Sequence, residues 1–282
     1  PPTNLPEIFL RTIVRRVCKI MFIYEGLSMK IAVVTGASSG IGREICFALQ
    51  DRIPAVEEFW LFSRSKEGLE KTASQLFKKT RIFPVDLKEK EGLERYRSAL
   101  AKEKPQILFL VNAAGFGKLG EANQLLEADQ LDMIDVNCKA LTAFTLHSIP
   151  FMRRNSRIIQ MASAAAFLPQ REFSVYAATK SYVYSFSISL REELRERGIG
   201  VIAVCPGPVA TEFFKVAGNE GKLHAVKSLF MAKPKKVALK ALMDSVLNRP
   251  LSIYGFPMKF FYCLSQILPD TLLMCILRGF YK

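Results

Sequence analysis

The sequence predicts a single-domain, doubly wound α/β protein: a parallel sheet with helices on both faces. Three observations carry this. From Lys30 onward, short apolar runs alternate with longer amphipathic stretches, as repeated βαβ units require. The runs are continuously apolar, as strands buried on both faces must be. A glycine-rich turn, Thr35-Gly36-Ala37-Ser38-Ser39-Gly40-Ile41-Gly42, joins the first run to the first amphipathic stretch. That is a phosphate-binding arrangement at a strand–helix junction.

Taken in order, strands are predicted over 31–35, 59–63, 81–85, 107–112, 157–162, 201–205 and, short and last, 251–254. Helices are predicted over 41–51, 66–79, 89–103, 127–153, 174–197 and 234–247, where Pro234 has the fixed φ suited to a first helical turn. Crossovers between the strands are expected to be right-handed. The 282 residues suit one large core, and no repeat or low-complexity linker marks a second. The domain is therefore expected over 30–255, with a substrate lid at about 208–232.

The two ends read differently. Residues 8–23 are apolar but interrupted by Arg11, Arg15, Arg16 and Lys19, which argues against both a transmembrane span and a signal peptide. Two readings of the extension 1–29 stand. Met29 is the native start and 1–28 come from an over-extended reading frame, with Glu25-Gly26 inside a translated ribosome-binding site. Alternatively, an amphipathic basic helix docks on a membrane or on the domain. The apolar helical segment 256–282 is divided by Pro269-Asp270, and its uncharged runs are too short to span a bilayer. It could cover a substrate pocket, form a subunit interface or rest on a membrane surface.

The formal charge of +14 comes from scattered basic residues with no aromatic-interleaved patch. Attraction to an anionic cofactor and a solvated surface explain it better than nucleic acid, which is not expected as a partner. The six cysteines show no Cys-x-x-Cys pair, and His147 and His224 are the only histidines. No metal site is expected, and reduced thiols point to the cytoplasm.

The chemistry is concentrated at two places. In the glycine turn, Gly36 allows a sharp bend, Gly40 lets backbone approach a pyrophosphate, and Gly42 permits close helix–strand packing. The second strand ends Ser63-Arg64-Ser65, without the carboxylate that would select NAD. Arg64 is suited instead to a 2′-phosphate, so NADP(H) is favoured over NAD(H). Asp86, beside Leu87, could accept from an adenine amino group, and Asn112-Ala113-Ala114-Gly115 leaves room for a flat ring and ribose. At the other place, Tyr176 and Lys180 lie four apart on a predicted helix, thirteen residues after Ser163. They share one helix face about 6 Å apart along the axis, where a cation stabilises phenolate.

Together, Thr-Gly-x-x-x-Gly-x-Gly at 35–42, Asn-Ala-Ala-Gly at 112–115, Asn137, Ser163, Tyr176-x-x-x-Lys180 and Pro206-Gly207 resemble the short-chain dehydrogenase/reductase family in its compact oxidoreductase subtype. The resemblance covers about residues 30–255 and implies a Rossmann-like fold. It also implies Tyr176 as general acid/base, Ser163 as donor to a substrate carbonyl, Lys180 on the nicotinamide ribose, and Asn137 holding a water that links Lys180 to solvent. Cofactor contacts would come from Thr35, Gly36, Ser38, Ser39, Gly40, Ile41 and Gly42, from Ser63, Arg64, Asp86 and Leu87, and from Asn112 to Gly115. Tyr176, Lys180, Pro206, Gly207, Val209 and Thr211 would complete them, Thr211 at the carboxamide or a phosphate.

A tyrosine titrating near 10 needs a downward shift of roughly 3 units to work at neutral pH. One cation supplies about 1–3, so Lys180 is expected to need help from the charge of oxidised nicotinamide. The segment after Gly207 carries Phe213, Phe214, Val216, Leu223, Leu229, Phe230 and Met231, a lid suited to an apolar ketone or secondary alcohol. The resemblance leans toward the hydroxysteroid dehydrogenase and 3-ketoacyl reductase branches. It also implies a homodimer or homotetramer formed through helices 127–153 and 174–197. A non-catalytic NADP-binding sensor or scaffold is the competing reading, and it would not need the four proton-transfer residues.

Overall fold

The computed structural model describes residues 28–167, 169–211, 213 and 231–278, the side chains of 276–278 excepted. Seven strands form one sheet: β1 (Lys30–Thr35), β2 (Glu58–Ser63), β3 (Lys79–Pro84), β4 (Gln106–Asn112), β5 (Arg157–Met161), β6 (Gly200–Val204) and β7 (Leu251–Ser252). Their order is β3-β2-β1-β4-β5-β6-β7, and every neighbouring pair is parallel. The chain winds outward from β1 to β3, then crosses back to β4 and winds the other way. This reversal opens a crevice beyond the carboxyl ends of β1 and β4.

Both faces of the sheet are covered. Along β1, Ala32 and Val34 enter one core with Ile45 and Leu49 of α1 (Gly40–Arg52). Ile31 and Val33 enter a second core, with Tyr96 and Leu100 of α3 (Lys90–Glu103) on the opposite face. This two-residue alternation lets a wholly apolar strand serve two layers. Helix α2 (Lys66–Ala73) follows β2. Helix α7 (Pro234–Val246) packs beside α1, adding Ala238, Ala241 and Leu242 to the first core.

The predicted helix over 127–153 is interrupted. It consists of α4 (Glu127–Ile134), a π-helical turn (Asp135–Ala140), α5 (Leu141–Ser148) and a 3-10 turn (Ile149–Phe151) containing Pro150. No Gly or Pro interrupts the chain between Glu127 and Ile149, so the stretch reads as one helix although the π turn inserts a residue within it. The predicted helix 66–79 ends at Ala73, because Lys79 is already paired with Glu58 in the sheet, at 2.8 Å between side chains. Helix α6 (Ser174–Glu193) stops short of 197, and β7 is two residues long. At the chain's end, α8 (Phe256–Ile267) and α9 (Asp270–Arg278) meet at Leu268-Pro269.

Candidate active site

The crevice holds a cavity of about 810 Å³, large enough for a dinucleotide and a small organic substrate. At one end β1 runs into the glycine turn. Gly36 has a φ of 68°, and a Cβ there would lie 2.7 Å from the Ala114 nitrogen and 2.8 Å from the Ala113 carbonyl oxygen. The turn is thus held against the end of β4 in a conformation that glycine adopts without strain. Ser39 caps α1 without a side-chain hydrogen bond, and the first turn carries no acid. Its N–H groups and positive dipole end remain available to an anion. These features fit the pyrophosphate of a dinucleotide.

The end of β2 forms the facing wall. Ser63 and Ser38 share a hydroxyl–hydroxyl hydrogen bond of 2.7 Å, and Ser65 Oγ accepts from the Gly68 nitrogen at 3.0 Å, capping α2. The two serines shape the loop, which leaves Arg64 as the exposed cation lining this part of the cavity. Asp86 and Leu87 line it too, as does Glu67, a carboxylate that nothing in the sequence pattern singled out. Thr211 closes the turn from the far side: a Cβ on Gly40 would lie 3.2 Å from its methyl.

At the other end, Ser163 follows β5, while Tyr176 and Lys180 occupy the first two turns of α6. Tyr176 is 7% exposed and Lys180 4%. Lys180 Nζ donates to the Met161 carbonyl at 2.8 Å and stands 5.6 Å from the centre of the Tyr176 ring. The Ser163 hydroxyl lies close enough to Tyr176 to act on its phenol, and its Oγ accepts from the Ala165 nitrogen at 3.1 Å. Burial pushes the Tyr176 phenol up to about 12, against the pull of the nearby Ser163 hydroxyl. Burial also lowers the Lys180 ammonium to about 8, partly offset by the nearby thiols of Cys138 and Cys205. In this geometry the ammonium does not bring the phenol below its ordinary value.

Three of the sequence-predicted residues stand behind the cavity wall rather than in it. Asn137, on the π turn, uses its amide as a clasp: Oδ1 accepts from the Phe116 nitrogen at 3.1 Å. Its Nδ2 donates to the Phe116 carbonyl at 2.9 Å and to Thr179 Oγ1 at 3.1 Å. It thereby ties the loop after β4 to α6, and a Cβ on Gly115 would lie 2.8 Å from Asn137 Oδ1 and 3.2 Å from Lys180 Nζ. Thr35 Oγ1 accepts from the Ala114 nitrogen at 3.2 Å. Asn112 is turned into the core, donating to Thr145 Oγ1 at 3.0 Å and Gln160 Oε1 at 2.9 Å. The other predicted residues, from Gly36 through Thr211, line the cavity together.

Sequence reasoning named Phe213 in the lid and offered the segment 256–282 as a cover for a pocket, but it did not single out Phe173, Met258 or Phe261. Phe173 stacks on Tyr176 with ring centres 4.2 Å apart and planes 25° apart, and Phe213 approaches to 5.4 Å. Both rings and Tyr176 crowd Gly117, where a Cβ would meet them at 2.8–3.0 Å. From the other end of the chain, Met258 and Phe261 of α8 also line the cavity, with the Met258 sulfur over Gly207. Phe173 lies three residues before Tyr176 and could have been found by helix spacing, whereas Met258 has no local signal. Among the described residues no His/Cys/Asp/Glu cluster is arranged for a metal ion. His224 and most of the predicted lid lie outside the described residues.

The short chain dehydrogenase family matches residues 30–221 of this sequence. The chain belongs to that family. As a short-chain dehydrogenase it is an NAD(P)-dependent oxidoreductase with a Rossmann-like fold and a nicotinamide cofactor. An uncharacterized oxidoreductase of Staphylococcus epidermidis is 32% identical over 204 residues, covering 70% of this chain and 86% of the relative. A short-chain dehydrogenase from Sphingobium yanoikuyae, solved with NADPH, superposes with a TM-score of 0.70 at 23% identity, covering 86% of this chain and 96% of that one. A Burkholderia phymatum short-chain dehydrogenase/reductase, solved with NAD, gives 0.69 at 21% identity over 82% and 90%.

Proposed function

We propose that this short-chain dehydrogenase interconverts a ketone and a secondary alcohol on an apolar, lipid-like substrate of steroid or acyl type, with NADP(H) preferred. The observation that carries the reading is that one cavity joins Ser163, Tyr176 and Lys180 to an anion-binding turn and to apolar walls from Phe116, Phe173, Phe213, Met258 and Phe261, with Gln170 a polar residue among them. The cofactor, when bound, supplies or accepts the hydride. Tyr176 gives its proton to the carbonyl oxygen in reduction and takes it back in oxidation. Ser163, close to the phenol, is placed to donate to the same oxygen. Lys180 stands under the Tyr176 ring, and its charge favours the phenolate left after transfer.

Asn137 positions this group by clasping the loop after β4. A water held by it would use the second lone pair of Oδ1, since both of its amide hydrogens are already committed to partners. Arg64 supports the NADP preference as the exposed guanidinium at the adenosine end. The segment 208–232 is proposed as the lid, of which Val209, Thr211 and Phe213 line the cavity. We further propose a cytoplasmic, membrane-associated homodimer or homotetramer, assembled through α4, α5 and α6, where Leu131, Ile134, Leu146 and Tyr182 are exposed.

Oxidation of NADPH and NADH, followed spectrophotometrically against steroid, ketoacyl and short carbonyl substrates, tests the reading. NADPH with apolar ketones is expected to give the highest kcat/KM. Tyr176→Phe is expected to lower kcat by at least about 100-fold while cofactor still binds. Clear NADH preference would overturn the role of Arg64. Unchanged biological activity of Tyr176→Phe would favour the sensor reading.

A further inference from the structure

Helix α8 has two apolar faces. The inner one is used: Met258 and Phe261 line the cavity, and Tyr262 packs on Phe167 with ring centres 4.7 Å apart. The outer one is exposed among the described residues. Phe256, Phe260, Cys263 and Ile267 follow the i, i+4, i+7, i+11 spacing of one helical stripe. All four are exposed, with Phe256 at 80%, Phe260 at 61% and Ile267 at 78%. Helix α9 adds Leu272 and Cys275, also exposed, while Leu273 is buried. Six apolar side chains on two successive helices exceed the isolated exposed residues that a surface ordinarily carries.

We propose that this outer face docks on the surface of an anionic lipid bilayer and brings the mouth of the cavity to the membrane. Three observations select lipid. Residues 256–282 carry Lys259, Arg278 and Lys282 against a single acid, Asp270, in a chain of net charge +14. An apolar stripe with flanking bases is the composition of an interfacial helix. No helix among the described residues is long and apolar enough to cross a membrane, so the face would lie on the bilayer. The helix that carries the stripe is also a wall of the cavity, so docking would shorten an apolar substrate's path from lipid to Tyr176. A second copy of the chain has a different apolar face available, on α4, α5 and α6. The coupling to substrate entry rests on the proposed lipid-like substrate; the docking itself does not.

The full chain, sedimented with vesicles of phosphatidylcholine alone and of phosphatidylcholine with phosphatidylglycerol, tests this. Binding is expected to the anionic vesicles and to weaken with added salt. Phe256→Ser/Phe260→Ser/Ile267→Ser, none of them lining the cavity, is expected to weaken that binding by at least about tenfold. The same triple variant should keep wild-type turnover of a short, water-soluble ketone and its oligomeric state by light scattering. Equal recovery with and without vesicles, or vesicle binding that the triple variant leaves intact, would overturn the proposal. So would a change of oligomeric state in the variant, which would assign the stripe to a second copy. If turnover of every ketone fails while vesicle binding holds, the catalytic reading falls and the docking face stands.

Discussion

Tyr176 is held by its neighbours as firmly as by its own helix. Phe173 covers one face of the ring, Phe213 crowds it, and Gly117 supplies backbone where any side chain would collide with all three. Gly117→Ala is therefore expected to shift the phenol and lower kcat by about 10–100-fold, with cofactor affinity retained; single-turnover kinetics and a cofactor titration separate the two. Lys180 gives a prediction of opposite sign for stability. Its ordinary pKa of 10.5 falls to about 8 in the fold, so between these values the unfolded chain holds the extra proton. Stability from this group rises with pH across that window, and below about 8 the buried ammonium is a cost. Lys180→Met is expected to abolish turnover yet raise stability near pH 7 by about 1–3 kcal/mol, removing the pH-dependent rise. Paired denaturation curves at pH 7 and pH 10 check it. Tyr176 and Lys180 were legible in the sequence because their relation is local, four residues on one helix. The Gly117 contact was not, because it joins a loop, a helix and the segment after β6.

Among the elements, those specified by continuous apolar runs were read nearly to the residue: β1 was expected over 31–35 and spans Lys30–Thr35. The π turn at Asp135–Ala140 was invisible because no Gly or Pro marks it, and it carries Asn137, whose amide holds Phe116. At the edge of the sheet a different device fixes the position of α7. Asp244, 3% exposed, accepts from Lys240 Nζ at 2.7 Å, Arg249 Nη1 at 3.0 Å and Ser252 Oγ at 2.6 Å. One carboxylate thus ties the helix to the turn after it and to β7, a two-residue strand with few ladder bonds of its own. Asp244→Ala leaves Ser252 without its acceptor and removes the counter-charge of both bases. A loss of about 2–4 kcal/mol in urea denaturation is expected. Because β7 precedes α8, the variant should also raise KM for apolar substrates more than it lowers kcat for a short one.

For the whole molecule, the cavity is assembled from segments that lie far apart in the chain: the glycine turn, the end of β4, α6 and α8. The first three carry motifs whose chemistry shows in the residue types. The fourth carries only apolar side chains, and their place in the fold decides what they touch. Charge acts at this scale too. A net charge of +14 creates a field that draws an anionic cofactor to the crevice from beyond contact range, and salt screens that field over roughly 10 Å at 0.1 M. NADPH carries an extra phosphate relative to NADH, so its capture depends more steeply on the field and on Arg64. Raising ionic strength is expected to increase KM for NADPH more than KM for NADH, narrowing the preference between them. Arg64→Ala should flatten the NADPH dependence toward that of NADH, leaving a residual slope from the distributed charge. Initial rates with both cofactors across a salt series, for wild type and variant, measure the two contributions separately. Equal slopes for the two cofactors in the wild type would remove the 2′-phosphate from the account of Arg64 and leave only the general attraction of a basic protein for a dinucleotide.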